Sequence, residues 1–187
     1  MDEVSMTMNR WLVLGWAFFT LGVARAADAG AGLRSPELAA QPQAETTAEQ
    51  RQQILATTRA LERSAFSVGA STEREKVLWL IDHGPDIFPR LQDSIVGEIS
   101  NSGVPDWRPI YAQFIFGFVG FQIENPQRAN DPVAVYEAAM RSCLLVYRQA
   151  VQRDKANRLA LLETANEEER NGRLRKYVAD RVQKFAR

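Results

Sequence analysis

The chain is 187 residues long, and its 23 Lys and Arg against 23 Asp and Glu give a formal net charge of zero, which provides no general attraction to nucleic acid or anionic lipid. Its single cysteine, Cys143, excludes an internal disulfide, a four-cysteine zinc site, an iron–sulfur cluster and a C-x-x-C-H haem attachment. One histidine, His83, with no H-E-x-x-H and no EF-hand spacing, leaves no usual metal ligand set, so no cofactor is expected.

Met8, Asn9 and Arg10 form a short positive stretch ahead of Trp11 to Val23, which is uncharged and mostly large and apolar. Ala24-Arg25-Ala26 then supplies small-x-small, the pattern that a signal peptidase reads. Residues 1–26 are therefore expected to be a cleavable signal peptide, and the protein to be extracytoplasmic, periplasmic or secreted. The apolar run is shorter than the roughly 20 residues needed to cross a bilayer, so no transmembrane anchor is expected after cleavage. No Cys follows it to carry a lipid. Asp2 and Glu3 disturb the positive region, which leaves Met1, Met6 and Met8 as candidate starts. Residues 27–45, rich in Ala, Gly, Pro and Gln, read as a flexible linker. Residues 46–187 have the length of a single domain.

From there the pattern is helical. A first helix is expected from Thr47 to about Phe66, opened by a Thr47–Gln50 capping box, with Thr46–Glu49 as a competing register. A second is expected from Thr72, carrying Val77, Leu78, Leu80 and Ile81, and stopped by Gly84-Pro85. A third is capped by Asp86 and carries Ile87, Leu91, Ile95 and Ile99. A fourth is capped by Asp106 and carries Tyr111, Phe114, Phe118 and Phe121. Pro85-Asp86-x-x-Pro89 and Pro105-Asp106-x-x-Pro109 echo one another, which reads as repeated helix-start grammar: Asp caps free amides, and Pro in the first turn sacrifices no bond.

Asp131-Pro132 opens a fifth helix, whose Val133, Tyr136, Met140, Cys143, Tyr147 and Ala150 make the clearest amphipathic stripe. On that stripe Cys143 is expected to be buried. The pattern weakens at Asp154-Lys155, resumes at Leu159, breaks near Asn166 and Gly172, and ends in a helix with Leu174, Val178, Val182 and Phe185. No strand pattern with hairpin signals appears. The expectation is an all-α protein of about six helices, packed as an irregular helical bundle after a disordered leader.

Three segments carry candidate chemistry. Ile110 to Ile123 is uncharged and aromatic. Tyr111, Phe114, Phe118 and Phe121 are either a ligand cluster for lipid or another apolar molecule, or the packing of a helix buried on all sides; the packed reading is preferred. His83, in D-H-G-P at a helix end, has no nucleophile motif around it, and a helix-terminal imidazole is the simpler role. From Gln152 to Arg187 there are ten basic and six acidic residues, without the aromatic interleaving of a single-strand nucleic-acid binder.

Thr46-Thr47-Ala48-Glu49-Gln50-Arg51-Gln52-Gln53-Ile54 resembles the L-T-x-x-Q box of small periplasmic helical stress proteins and chaperones. Thr46 replaces the leading Leu, and Asn166-Glu167-Glu168-Glu169-Arg170 is only an echo of a second box. The resemblance implies an exported, all-helical, non-catalytic protein. The first expectation is accordingly a non-enzymatic envelope protein, adaptor or chaperone-like, that binds a protein partner and no nucleic acid. The alternative is a lipid or apolar-ligand binder using residues 110–123. The third is a hydrolase without a local motif. The oligomeric state stays open.

Overall fold

The computed structural model describes residues 45–184 apart from 85, 88, 90 and 92. The expected signal peptide, the linker up to residue 44 and Phe185 lie outside the described residues. The described chain is all-helical, with no strand: α1 (Ala48–Arg63), α2 (Ala70–His83), α3 (Asp93–Ser100), α4 (Trp107–Glu124), α5 (Pro132–Arg153), α6 (Ala160–Arg170) and α7 (Leu174–Lys184). Short 3-10 turns at Pro126–Arg128 and Lys155–Asn157 flank α5.

The ends of α1 and α5 follow their local chemistry. The Thr47 hydroxyl accepts from the Gln50 amide, and the Gln50 side chain accepts from the Thr47 amide, so this register of the capping box is used. At α5 the Asp131 carboxylate accepts from the Ala134 amide at 3.0 Å with Pro132 in the first turn. Of the expected α5 stripe, Tyr136, Met140, Cys143, Tyr147 and Ala150 are buried, with Leu144 beside them, whereas Val133 in the first turn is only half-buried.

Several expected boundaries move, either because a distant partner takes the group that would have set them or because the backbone turns earlier. α1 stops at Arg63 rather than Phe66, since the Ala65 amide donates to Gln149 (3.0 Å) and its carbonyl accepts from Arg74 (2.6 Å). α2 begins at Ala70, not Thr72; Gly69, at φ +84°, turns the chain so that Ala70 is already buried. The Asp86 carboxylate caps no helix. It accepts from the Thr46 amide and hydroxyl and pairs with Arg51, and α3 starts only at Asp93. Against the desolvation that opposes its charge, these donors hold Asp86 below the usual carboxylate range.

Asp106 does occupy the N-cap of α4, but its carboxylate accepts from Asn157 Nδ2 (2.8 Å) while its amide donates to Asn157 Oδ1 (2.8 Å). The two Pro-Asp-x-x-Pro segments therefore play different parts: one begins a helix and the other precedes one. Asn166, read as a break, lies inside α6, where its side chain accepts from Arg148 at 3.1 Å.

α4 is the central helix. One side carries Ile110, Phe114 and Phe118 into a core shared with α3, α5, α6 and α7. The other carries Ala112, Phe116 and Val119 into a core shared with α1 and α2, around Ile54, Leu61, Val77, Leu80 and Ile81. Filling two cores requires apolar residues around most of the helix, which is why Ile110 to Ile123 shows no polar stripe.

Candidate functional site

The four aromatic candidates do not gather at one place. Phe114 and Phe118 are sealed in the interior, packed on Tyr136 with ring centroids 5.9 and 5.4 Å apart, the second edge-on. Tyr111 is half-buried and meets Trp107 edge-on at 6.3 Å. Phe121 is half-buried under the guanidinium of Arg128, 5.6 Å from its ring centre, and lines a crevice on the third side of α4.

That crevice, about 220 Å³, lies between α1, α4 and α5. Gly117 and Gly120 lie along it. Gly117 has no room for a side chain, because a Cβ there would stand 2.5 Å from Ser142 Cβ and 3.1 Å from Ala139 Cα. The glycine lets α4 and α5 approach closely and leaves the crevice open above them. At its base runs a buried polar relay: Gln113 Nε2 donates to Ser142 Oγ (2.7 Å), and Ser142 Oγ donates to Glu62 Oε1 (2.7 Å). Arg59 bridges two carboxylates, Glu62 at 3.0 Å and Glu124 at 3.0 Å. Burial opposes the Arg59 charge, but Glu62 and Glu124 outweigh it and raise its pKa above the ordinary arginine value. Thr58 also lines the crevice; it is 2% exposed, and its Oγ1 has no hydrogen-bond partner. Leu55, Phe121, Ala138 and Leu145 form the apolar walls, and Arg141 sits at the rim, paired with Glu137 and Glu169.

The sequence reading missed this group. The one available signal was polar character inside an apolar pattern: Gln113 within Ile110 to Ile123, and Ser142 beside Cys143 on α5.

A second feature is the outer face of α2. Val77, Leu80 and Ile81 point inward, whereas Leu78 and Trp79 are 38% and 57% exposed. Trp79 stacks on His83 with ring centroids 4.3 Å apart and planes 20° off parallel. His83 Nδ1 lies 2.9 Å from the Trp79 carbonyl, to which it donates, with Asp82 at 3.7 Å. The ring thus closes the end of its own helix.

The charged blocks near the C-terminus also have partners. Glu168 holds Arg173, Glu169 holds Arg141 and Arg148, and Arg175 reaches Glu137 on α5. Among the described residues no three His, Cys, Asp or Glu side chains converge as a metal ligand set, and no helix is long and apolar enough to cross a membrane. Comparison with family models, with curated proteins and with solved structures found no match to this chain.

Proposed function

We propose that this chain is an exported, non-enzymatic helical protein, adaptor or chaperone-like, that docks a protein partner on the outer face of α2. The observation that carries this reading is the exposure of Trp79 beside Leu78 on a helix whose opposite face is fully committed to the core. A tryptophan buries roughly 150–250 Å² when covered. Leaving about half of that in water forgoes on the order of 2–3 kcal/mol of burial. Tryptophan is also among the residues enriched at the energetic centre of protein interfaces. Export rests on the Trp11–Val23 run and the Ala24-Arg25-Ala26 site. A catalytic role for His83 draws no support, because the ring is engaged with its own helix. A lipid-binding role for residues 110–123 draws none either, because Phe114, Phe116 and Phe118 are closed inside two cores.

The test places a photo-crosslinking residue at position 79 and, as a control, at exposed Thr164 on α6. Irradiation in the producing cells should give a discrete protein adduct from position 79 only, in the extracytoplasmic fraction. Trp79→Ala should retain the helical circular dichroism of the parent and lose co-purification of that protein. Equal adducts from both positions, or none from position 79, would refute the docking face. Recovery of the chain in the cytoplasm with residues 11–23 intact would refute export.

A further inference from the structure

We propose that the occupant of the α2 face is a second copy of this chain, with the two α2 helices antiparallel about a twofold axis at Trp79. This names the partner for the docking face described above and rests on that reading.

The strip through Trp79 supplies the material. Residues three and four apart share one side of a helix, so Glu75, Lys76, Trp79, Asp82 and His83 form one exposed strip along α2. His83 covers one face of the Trp79 ring, yet the ring remains largely in water, with exposed Leu78 beside it. Asp82 is 82% exposed in its side chain, and the His83 Nδ1 that lies 3.7 Å from it already donates to the Trp79 carbonyl. Lys76 is tied only to Glu73 on the same helix, an exposed pair of little strength that leaves two of the three ammonium donors to share.

Symmetry selects the occupant. A twofold interface joins a patch to itself, so each residue is met by whatever lies equally far beyond the axis. Three residues either side of Trp79 are Lys76 and Asp82; four either side are Glu75 and His83. Antiparallel helices centred on Trp79 therefore set Lys76 of each copy against Asp82 of the other, and Glu75 against an imidazole rather than a carboxylate. The indole rings meet on the axis. Parallel helices in register would set every charge against its own copy. Shifting the antiparallel axis to between Leu78 and Trp79 would set Glu75 against Asp82, like charge on like. The charge pattern thus complements itself in one orientation and one register. The chain as a whole has no net charge, so two copies meet no long-range repulsion.

The face is short, about 21 Å of helix. Leu78, Trp79 and the charge pairs fall short of the ~800 Å² per partner of a stable interface, so the dimer is an exchanging one, with a Kd on the order of 100 µM.

The test is sedimentation equilibrium of the protein purified from its producing cells, in low salt, because exposed charge pairs are screened. Lys76→Glu and Asp82→Lys change exposed side chains, and circular dichroism should match the parent in each. Each variant alone places like charges opposite each other at two symmetry-related points and should dimerise at least ~10-fold more weakly. Mixing the two variants puts opposite charges back at both points and should restore association to about the parental strength, as should the double variant Lys76→Glu/Asp82→Lys. Recovery in the mixture is specific to antiparallel helices centred on Trp79. A chain that stays monomeric up to ~1 mM, ten times the expected Kd, single variants that associate like the parent, or a mixture that stays monomeric would overturn the proposal. Two results of the photo-crosslink at position 79 separate this proposal from the reading beneath it. An adduct with a different protein, from a chain that sediments as a monomer, would overturn self-pairing and leave the docking face standing; no adduct at all would overturn both.

Discussion

Two glycines three residues apart on α4 should respond in opposite ways to the same substitution. At Gly117 a new Cβ would lie 2.5 Å from Ser142 Cβ and 3.1 Å from Ala139 Cα, both on α5. Neither atom is the tip of a flexible side chain, so the helices must separate at their most extensive contact. Overpacking of this kind costs about 1–3 kcal/mol. Replacing a helical Gly by Ala returns about 1 kcal/mol. Because the obstruction includes backbone, the upper part of the range applies, and Gly117→Ala should lose about 1–2 kcal/mol. At Gly120 the nearest atom to a new Cβ is Leu55 Cδ2 at 3.6 Å, an ordinary contact. There the helix preference acts unopposed, and Gly120→Ala should gain about 0.5–1 kcal/mol. For a domain of this size, 1 kcal/mol corresponds to roughly 3–5 °C in Tm. Urea denaturation followed by circular dichroism at 222 nm, paired with thermal melts, measures both variants against the parent. A Gly117→Ala protein as stable as the parent, or a Gly120→Ala protein that is less stable, would refute the close-approach account of the α4–α5 contact.

Three further outcomes are expected. Phe118→Ala removes a ring that is 4% exposed and packed edge-on against Tyr136, and should lower unfolding free energy by ~3–5 kcal/mol in the same assay. Cys143 is fully buried, and desolvation pushes its thiol well above the usual range, so a thiol reagent should label it only at the rate of unfolding; Cys143→Ser should cost ~1–3 kcal/mol if its hydroxyl finds no partner. Burial, followed by its hydrogen bond to Glu163, pushes Tyr147 from about 10 up to about 12. The folded state therefore holds this proton more tightly than the unfolded one. Its contribution is intact below pH ~10 and is lost as pH rises from about 10 to about 12; unfolding free energy measured across that window should fall less steeply in Tyr147→Phe.

Local chemistry determined much of the fold. The Thr47–Gln50 capping box, the Asp131-Pro132 start and the α5 stripe through Cys143 each depend on neighbours within a few residues, and each could be read directly. The all-helical class followed from the same periodicity. Tertiary structure decided the places where a side chain had two offers. Asp86 had helix amides nearby in sequence, yet it is taken by Thr46 and Arg51, forty and thirty-five residues away. Asp106 is taken by Asn157 in the same way. The aromatic run of Ile110 to Ile123 announced burial, but only the packing shows that it serves two cores and leaves a third side for Gly117, Gly120 and Phe121. The crevice itself joins Thr58, Arg59 and Glu62 of α1 with Glu124 of α4 and Ser142 of α5. Periodicity records which face of a helix is apolar; it carries no record of which helices meet, so contacts between residues eighty positions apart have no signature in the chain until it folds.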